Sequence, residues 1–221
     1  MGINANVDHV RDRAARAAER AGRPPDDVTI IAITKGVPPE RIAEALGAGI
    51  TNVGENRVQE ASEKTAYLSE RGLHPVWHMV GHLQTNKAKT ALDIFDIIHS
   101  VDSVRLAESI SKRAQHPVPV LLQVNISGEE TKSGFPVAAA AQAAWEIGRL
   151  PNIRVRGLMT IAPMMADPEE VRPVFRRLRE LRDSLGLEHL SMGMSDDFEV
   201  AVEEGATLVR IGRAIFEERR R

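Results

Sequence analysis

The sequence predicts a (β/α)8 barrel preceded by one extra helix. The first observation behind this is the alternation of strand-like and helix-like segments, eight times over, with no break in composition along 221 residues. The second is the character of the strands. The run Val28-Thr-Ile-Ile-Ala-Ile-Thr-Lys35 is almost continuously apolar, as expected of a parallel strand covered on both faces. A doubly wound open sheet is the competing architecture, because a strand count read from sequence shifts easily by one or two.

The elements follow in order. An Ala/Arg-rich amphipathic segment from Ile3 to Ala21 stops at Gly22, and Pro24-Pro25-Asp26-Asp27 leads into the first strand. Gly36 and Pro38-Pro39 force the chain out of that strand, and Pro38 to Leu46 reads as a helix ending at Gly47 and Gly49. Strand two is Thr51 to Gly54, followed by a helix from Arg57 to Glu70. Strand three, Val76 to Val80, precedes a helix from Asn86 to Phe95; strand four, Ile97 to Val101, precedes one from Ser103 to Gln115. The long apolar strand five, Val118 to Ile126, leads to an Ala-rich helix from Pro136 to Gly148. Strand six is Arg154 to Thr160, with a helix from Pro168 to Leu185 charged on one face. Strand seven, Glu188 to Met192, is followed by a helix from Asp196 to Glu204, and strand eight, Thr207 to Ile211, by a last helix starting near Arg213. No Gly- or Ser-rich linker divides the chain, which reads as one domain over residues 1–221; the tail Arg219–Arg221 reads as a frayed terminus.

Composition narrows the function. With 29 basic against 31 acidic residues there is no field to attract nucleic acid or a membrane surface. The absence of cysteine excludes disulfides, thiolate metal sites and cysteine nucleophiles. Residues Met1 to Asn6 carry neither a basic nor an apolar leader region, and no run reaches membrane-spanning length, so a soluble cytoplasmic protein is expected. Aromatics make up only 4%, leaving the core to Ala, Leu, Ile and Val.

In a barrel the loops after the strands form the active face. They collect Lys35, Gly54-Glu55-Asn56, His78 with Gly81 and His82, Ser100 with Asp102, Asn125 onward, Thr160, Ser195, and Arg210 with Gly212. A lysine at a strand end can lose solvation and attack an aldehyde to form a Schiff base; its alternative role is simply to reach solvent. Ser195 opens a helix after strand seven and Gly212 precedes another after strand eight, the recurrent phosphate-binding corner of such barrels. Ser195 is equally suited to be a helix N-cap. Arg210, the single charge in Thr207–Ile211, is harder to explain by packing. His78 and His82 are four apart, but Gly81 breaks the helical face that a zinc pair would need, so no metal site is expected. The stripe of Ala and Arg over residues 11–20 reads as a helix docked on the barrel.

Several longer motifs carry a resemblance. Gly54-Glu-Asn-Arg-Val-Gln-Glu60, Trp77-His-Met-Val-Gly-His-Leu-Gln-Thr-Asn-Lys87 and His99-Ser-Val-Asp-Ser103 occur in order. Leu122 to Phe135, Arg156-Gly-Leu-Met-Thr160, Leu190 to Glu199 and Val209-Arg-Ile-Gly-Arg-Ala-Ile-Phe216 follow. Together they resemble the pyridoxal phosphate homeostasis proteins, single-domain relatives of the N-terminal barrel of alanine racemase. The resemblance implies pyridoxal 5'-phosphate (PLP) as cofactor, held as a Schiff base by Lys35. It implies phosphate binding by Ser195, Gly212 and the backbone of Arg213, with Arg210 facing the pyridine nitrogen and the loops of Asn56 and Lys132 lining the ring. The family more often has a small hydroxyl residue at position 213, so the side chain of Arg213 departs from the pattern.

The implied role is PLP homeostasis, with apo PLP-dependent enzymes as recipients and a monomer as the default state. The alternatives are a PLP-dependent enzyme acting on amino acids, racemase-like, and a phosphate-binding barrel without PLP. Against a racemase, the single tyrosine, Tyr67, falls on a helix rather than at a strand end, and no second domain remains to supply an opposing base.

Overall fold

The computed structural model describes residues 2–129 and 132–217; the Arg219–Arg221 tail lies outside them. Eight strands carry the barrel: β1 (Thr29–Ile33), β2 (Asn52–Glu55), β3 (Val76–Met79), β4 (Ile97–Val101), β5 (Val118–Asn125), β6 (Ile153–Met159), β7 (His189–Ser191) and β8 (Leu208–Ile211). Each pairs in parallel with its sequence neighbours, and β8 pairs with β1 through Ile31 opposite Arg210 and Ala32 opposite Ile211. The ring is closed, which excludes the open sheet. The barrel is preceded by α1 (Ile3–Arg20), and the outer ring is built by α2 (Pro39–Gly47), α3 (Val58–Ser69), α4 (Ala88–Leu92), α5 (Val104–Ser111), α6 (Val137–Gly148), α7 (Arg172–Ser184), α8 (Phe198–Glu203) and α9 (Arg213–Phe216).

Strand residues alternate between two buried environments. Ile31, Leu121, Met159 and Leu208, with Ile33 against them, fill the barrel interior as a cluster of their own. Their neighbours Ala32, Leu122, Leu158 and Val209 face outward into the larger core shared with the helices. Each fully buried aliphatic side chain contributes about 1.5–3 kcal/mol relative to exposure. This double burial explains why the strands read as nearly unbroken apolar runs.

The extra helix docks as its pattern predicts. Val7, Val10, Ala14, Ala17 and Ala18 of α1 are buried at helical spacing, and the helix packs on α2, α8 and α9. Its arginines lie at the edge of this seam, where Arg13 meets Glu199 at 2.7 Å and Arg20 meets Glu203 at 2.7 Å.

Boundaries differ from the sequence reading in several places, among them α5, which ends at Ser111 rather than Gln115, and α8, which starts at Phe198 rather than Asp196. The first strand ends at Ile33, so Lys35 lies in the turn beyond it. The helix expected over residues 86–95 is a 3-10 turn, Thr85–Lys87, followed by the short α4; Asp96 then gives its carboxylate to the N–H of Trp77 at 2.7 Å. Phe135–Pro136 forms a two-residue strand beside Val124 and Asn125, where a helix start was expected. No helix among the described residues is long and apolar enough to cross a membrane.

Candidate functional site

The turn carrying Lys35 is pinned from beneath. The N–H of Thr34 donates to the Gly54 carbonyl at 2.9 Å, and its hydroxyl to Oε1 of Glu55 at 2.8 Å. Lys64 Nζ, from α3, donates to the Thr34 carbonyl at 2.7 Å and pairs with the fully buried Glu55. The N–H of Gly36 donates to Glu60 at 3.2 Å. A buried ion pair contributes little net stability, but it breaks expensively, so this cluster fixes where the turn lies. Lys35 itself is exposed at the barrel mouth. Asn56 follows β2, its N–H donating to Glu55 at 3.1 Å.

Next to this turn lies a corner rich in free donors. Gly212 packs on β1: a Cβ built there would sit 3.5 Å from Ile33 Cβ, an ordinary contact. Packing therefore does not demand glycine, and its absent side chain leaves the backbone open to a ligand. Among the described residues the N–H groups of Ser195, Asp196, Gly212 and Arg213 have no hydrogen-bond acceptor. Ser195 Oγ accepts from the N–H of Ala214 at 3.3 Å, so this hydroxyl joins the loop after β7 to the loop after β8. It does not cap the helix that follows, because α8 starts only at Phe198, with Asp197 at its N-cap and no side-chain cap bond; Asp197 Oδ1 instead accepts from the N–H of Met194 in the loop at 2.6 Å. The guanidinium of Arg213 turns away from the corner to pair with Asp196, which ties the same two loops together from outside. Its main-chain N–H stays in the corner, while its side chain lies outside it.

Arg210 is 5% exposed, with its side chain inside the barrel. It donates from Nη1 to Ser191 Oγ at 2.7 Å and from Nη2 to the Thr160 carbonyl at 2.8 Å. Both acceptors are neutral, and no carboxylate pairs with it among the described residues. Burial lowers its pKa to about 10, with Asp197 acting from a distance in the opposite direction. A buried cation without a counter-ion is costly, and a strongly perturbed group of this kind near the end of a barrel strand marks a candidate binding site.

The remaining candidates divide. Asn56 and Lys132 line one cavity of about 260 Å³, together with Gly81, His82, Gln123 and Asn125. Gly81 is required there, since a Cβ would fall 2.3 Å from the Asn56 carbonyl oxygen. Lys132 pairs with Glu129 at 2.7 Å and His82 Nδ1 with Asp102 at 3.1 Å. Thr160 is buried, its hydroxyl on the Val124 carbonyl at 2.8 Å. Two expectations need correction. His78 is not at the mouth: it lies within β3, buried inside the barrel, and its Nε2 reaches back to Asn52 at the start of β2 at 2.9 Å. Ser100 is likewise fully buried, with no hydrogen-bond partner for its hydroxyl among the described residues. Tyr67 is on the outer helix α3, under the guanidinium of Arg71 at 3.5 Å. His99 and Ser191 were not singled out as site residues, although both reach toward Arg210.

Losing the Ser195 hydroxyl should separate two ligands. Ser195→Ala is expected to weaken PLP binding by about 1–3 kcal/mol, the cost of one hydrogen bond to a charged group. Pyridoxal without phosphate should bind more weakly and respond little to the change. Titration of the unaltered protein and the variant with both ligands checks this; equal sensitivity would move the phosphate elsewhere.

An amine in a pinned turn, a corner of free N–H groups with a hydroxyl, and an uncompensated buried guanidinium form a donor set that fits PLP. Comparison with known proteins points the same way. The family model of the alanine racemase N-terminal domain matches residues 5–219. A pyridoxal phosphate homeostasis protein of Aquifex aeolicus is 47% identical over 223 residues, covering 97% of each chain. The solved structure of PipY from Synechococcus elongatus PCC7942, with PLP bound, superposes with a TM-score of 0.81 at 37% identity, over 92% of this chain and 99% of that one. Alanine racemase from Corynebacterium glutamicum shares the fold, with a TM-score of 0.69 at 18% identity, over 95% of this chain and 61% of that one. The chain belongs to the pyridoxal phosphate homeostasis protein family, built on the barrel of the alanine racemase N-terminal domain.

Proposed function

We propose that this one-domain chain binds PLP and serves intracellular PLP homeostasis, holding the cofactor as a Schiff base on Lys35 and yielding it to apo PLP-dependent enzymes. The observation that carries the reading is Arg210, a buried cation on neutral acceptors, on the strand beside the one that presents Lys35. When bound, PLP supplies an aldehyde that captures amines and a ring that withdraws electrons from them. Ser195 and the N–H groups of Gly212 and Arg213 hold the phosphate. Arg210 sits at the pyridine nitrogen, and Asn56 and Lys132 border the ring from the cavity opposite.

These residues favour holding over turnover. A guanidinium at the pyridine nitrogen opposes its protonation and so weakens electron withdrawal by the ring. Lys35 can move a proton on one side of a bound amino acid. On the other side the chain presents no tyrosine, since Tyr67 is on the outer helix α3. The exposed mouth lets water reach the Lys35 linkage and release the cofactor. We place the protein in the cytoplasm as a monomer, without nucleic-acid or membrane partners.

The test sets carriage against catalysis. The loaded protein, given L-alanine or L-serine in deuterated water, should show little racemisation or α-deuterium exchange. It should restore activity to an apo-enzyme mixed with it. Turnover of either amino acid at about 1 per second or faster would falsify the carrier reading and favour a racemase-like enzyme.

A further inference from the structure

A line of buried polar groups crosses the barrel behind Arg210. Arg210 Nη1 lies 2.7 Å from Ser191 Oγ, which lies 2.9 Å from His99 Nδ1. His99 Nε2 is 2.8 Å from His78 Nδ1, and His78 Nε2 is 2.9 Å from Asn52 Oδ1. Ser191, His99 and His78 are each 1% exposed or less. The two imidazoles meet edge to face, with ring centroids 5.0 Å apart. Ordinary packing would put aliphatic side chains here, as it does in the layer of Ile31, Leu121, Met159 and Leu208.

The direction of this line is set at both ends. A guanidinium can only donate, so Ser191 Oγ accepts from Arg210 and its own hydroxyl proton is free for His99 Nδ1. At the far end the amide nitrogen of Asn52 is engaged, donating to Thr51 Oγ1 at 3.0 Å, which leaves Oδ1 to accept from His78. Between these ends one arrangement satisfies every atom: His99 protonated on Nε2 and donating to His78 Nδ1, and His78 protonated on Nε2 and donating to Asn52. In the reverse arrangement the Ser191 oxygen would accept twice and its proton would have no acceptor in the line. Burial of both rings favours their neutral forms, and the neighbouring cation on Arg210 adds to this at His99.

We propose that Ser191, His99 and His78 form a one-directional hydrogen-bond relay, anchored on Asn52, that positions Arg210 for its ligand. Each link donates away from Arg210, so each makes the preceding acceptor stronger, and the guanidinium is gripped without a counter-charge. A carboxylate in place of Ser191 would also grip it, but would neutralise the charge that faces the ligand. The relay keeps geometry and charge together. Its role toward the pyridine ring rests on the reading of Arg210 given above, whereas the tautomers it fixes do not.

The test has two arms. In the protein free of PLP, nitrogen-15 NMR of the histidines at neutral pH should show His78 and His99 neutral and protonated on Nε2. In Ser191→Ala and in Arg210→Met the His99 Nδ1 resonance should move. A proton on Nδ1 of either ring, or an unmoved resonance in both variants, would overturn the relay. In the PLP-loaded protein, Ser191→Ala should shift the visible absorption band and weaken PLP binding about tenfold, the equivalent of one hydrogen bond to a charged group. Ser100→Ala removes an equally buried hydroxyl with no partner and should leave both readouts as in the unaltered protein. An unchanged band and affinity in Ser191→Ala, or equal effects in the two serine variants, would refute positioning. Failure of the unaltered protein to take up PLP would refute the proposed function instead, and the first arm would then decide the relay alone.

Discussion

Lys35→Ala should abolish covalent capture of PLP. The unaltered protein is expected to purify yellow or to turn yellow with PLP, and borohydride should fix the cofactor on a peptide containing Lys35. The variant should show neither the visible band nor the borohydride-stable label. It should still bind PLP weakly through the corner of Ser195, Gly212 and Arg213, because those donors do not depend on the lysine. Peptide mapping after reduction decides the matter: label recovered mainly on Lys132 or Lys87 would show that the residue after β1 is not the attachment point. Lys132 is a fair competitor, since it borders the cavity beside Asn56, but its amine is engaged with Glu129 at 2.7 Å. Lys35 instead stands on a turn that Glu55, Lys64 and Glu60 hold in place, with Gly212 packed against the strand beneath it.

Much of this arrangement was legible in the sequence because parallel barrels write their architecture in hydrophobic runs and glycine stops. The run from Val28 marks a strand buried on both faces, and Gly36 with Pro38 marks its end. What the same runs hide is direction. In a strand buried on both sides, inward and outward positions are equally apolar, so the alternation that places His78 and His99 inside the barrel is visible only once strand pairing is known. Trp77 and Met79 face the helices while His78 between them faces inward. Ile98 and His99 divide in the same way. The sequence reading put His78 at the mouth because it took the whole Val76–Val80 segment as leading there. Arg213 is a different case. Its departure from the family pattern was plain, but its outcome was not, because its partner Asp196 comes from the preceding loop, and such pairing is a property of the closed ring. The strand Phe135–Pro136 was missed because two residues have no periodicity to read.

Acid should destabilise the fold well above the pH at which most carboxylates titrate. His78 is buried, with a pKa of about 4 against an ordinary value near 6.5, set first by loss of solvation and then by repulsion from His189. His99 is shifted in the same direction by burial and by His78, Arg210 and His189. Between those pH values the unfolded chain binds protons that the native barrel refuses. The native state therefore has its full advantage above pH 6.5 and loses it progressively as pH falls toward 4. For His78 alone the loss between pH 7 and pH 5 is about 2 kcal/mol, and His99 adds to it. Denaturant melts at pH 7, 6 and 5 would measure this slope. His78→Gln keeps a neutral polar side chain but removes the titration, so the slope over that range should flatten by about that amount even if the variant is less stable at pH 7. A variant whose slope matched the unaltered protein would show that His78 is protonated in the native barrel with near-ordinary ease. In that case the imidazole would serve as a neutral acceptor for His99 only above about pH 6.5, and acid would break that link first.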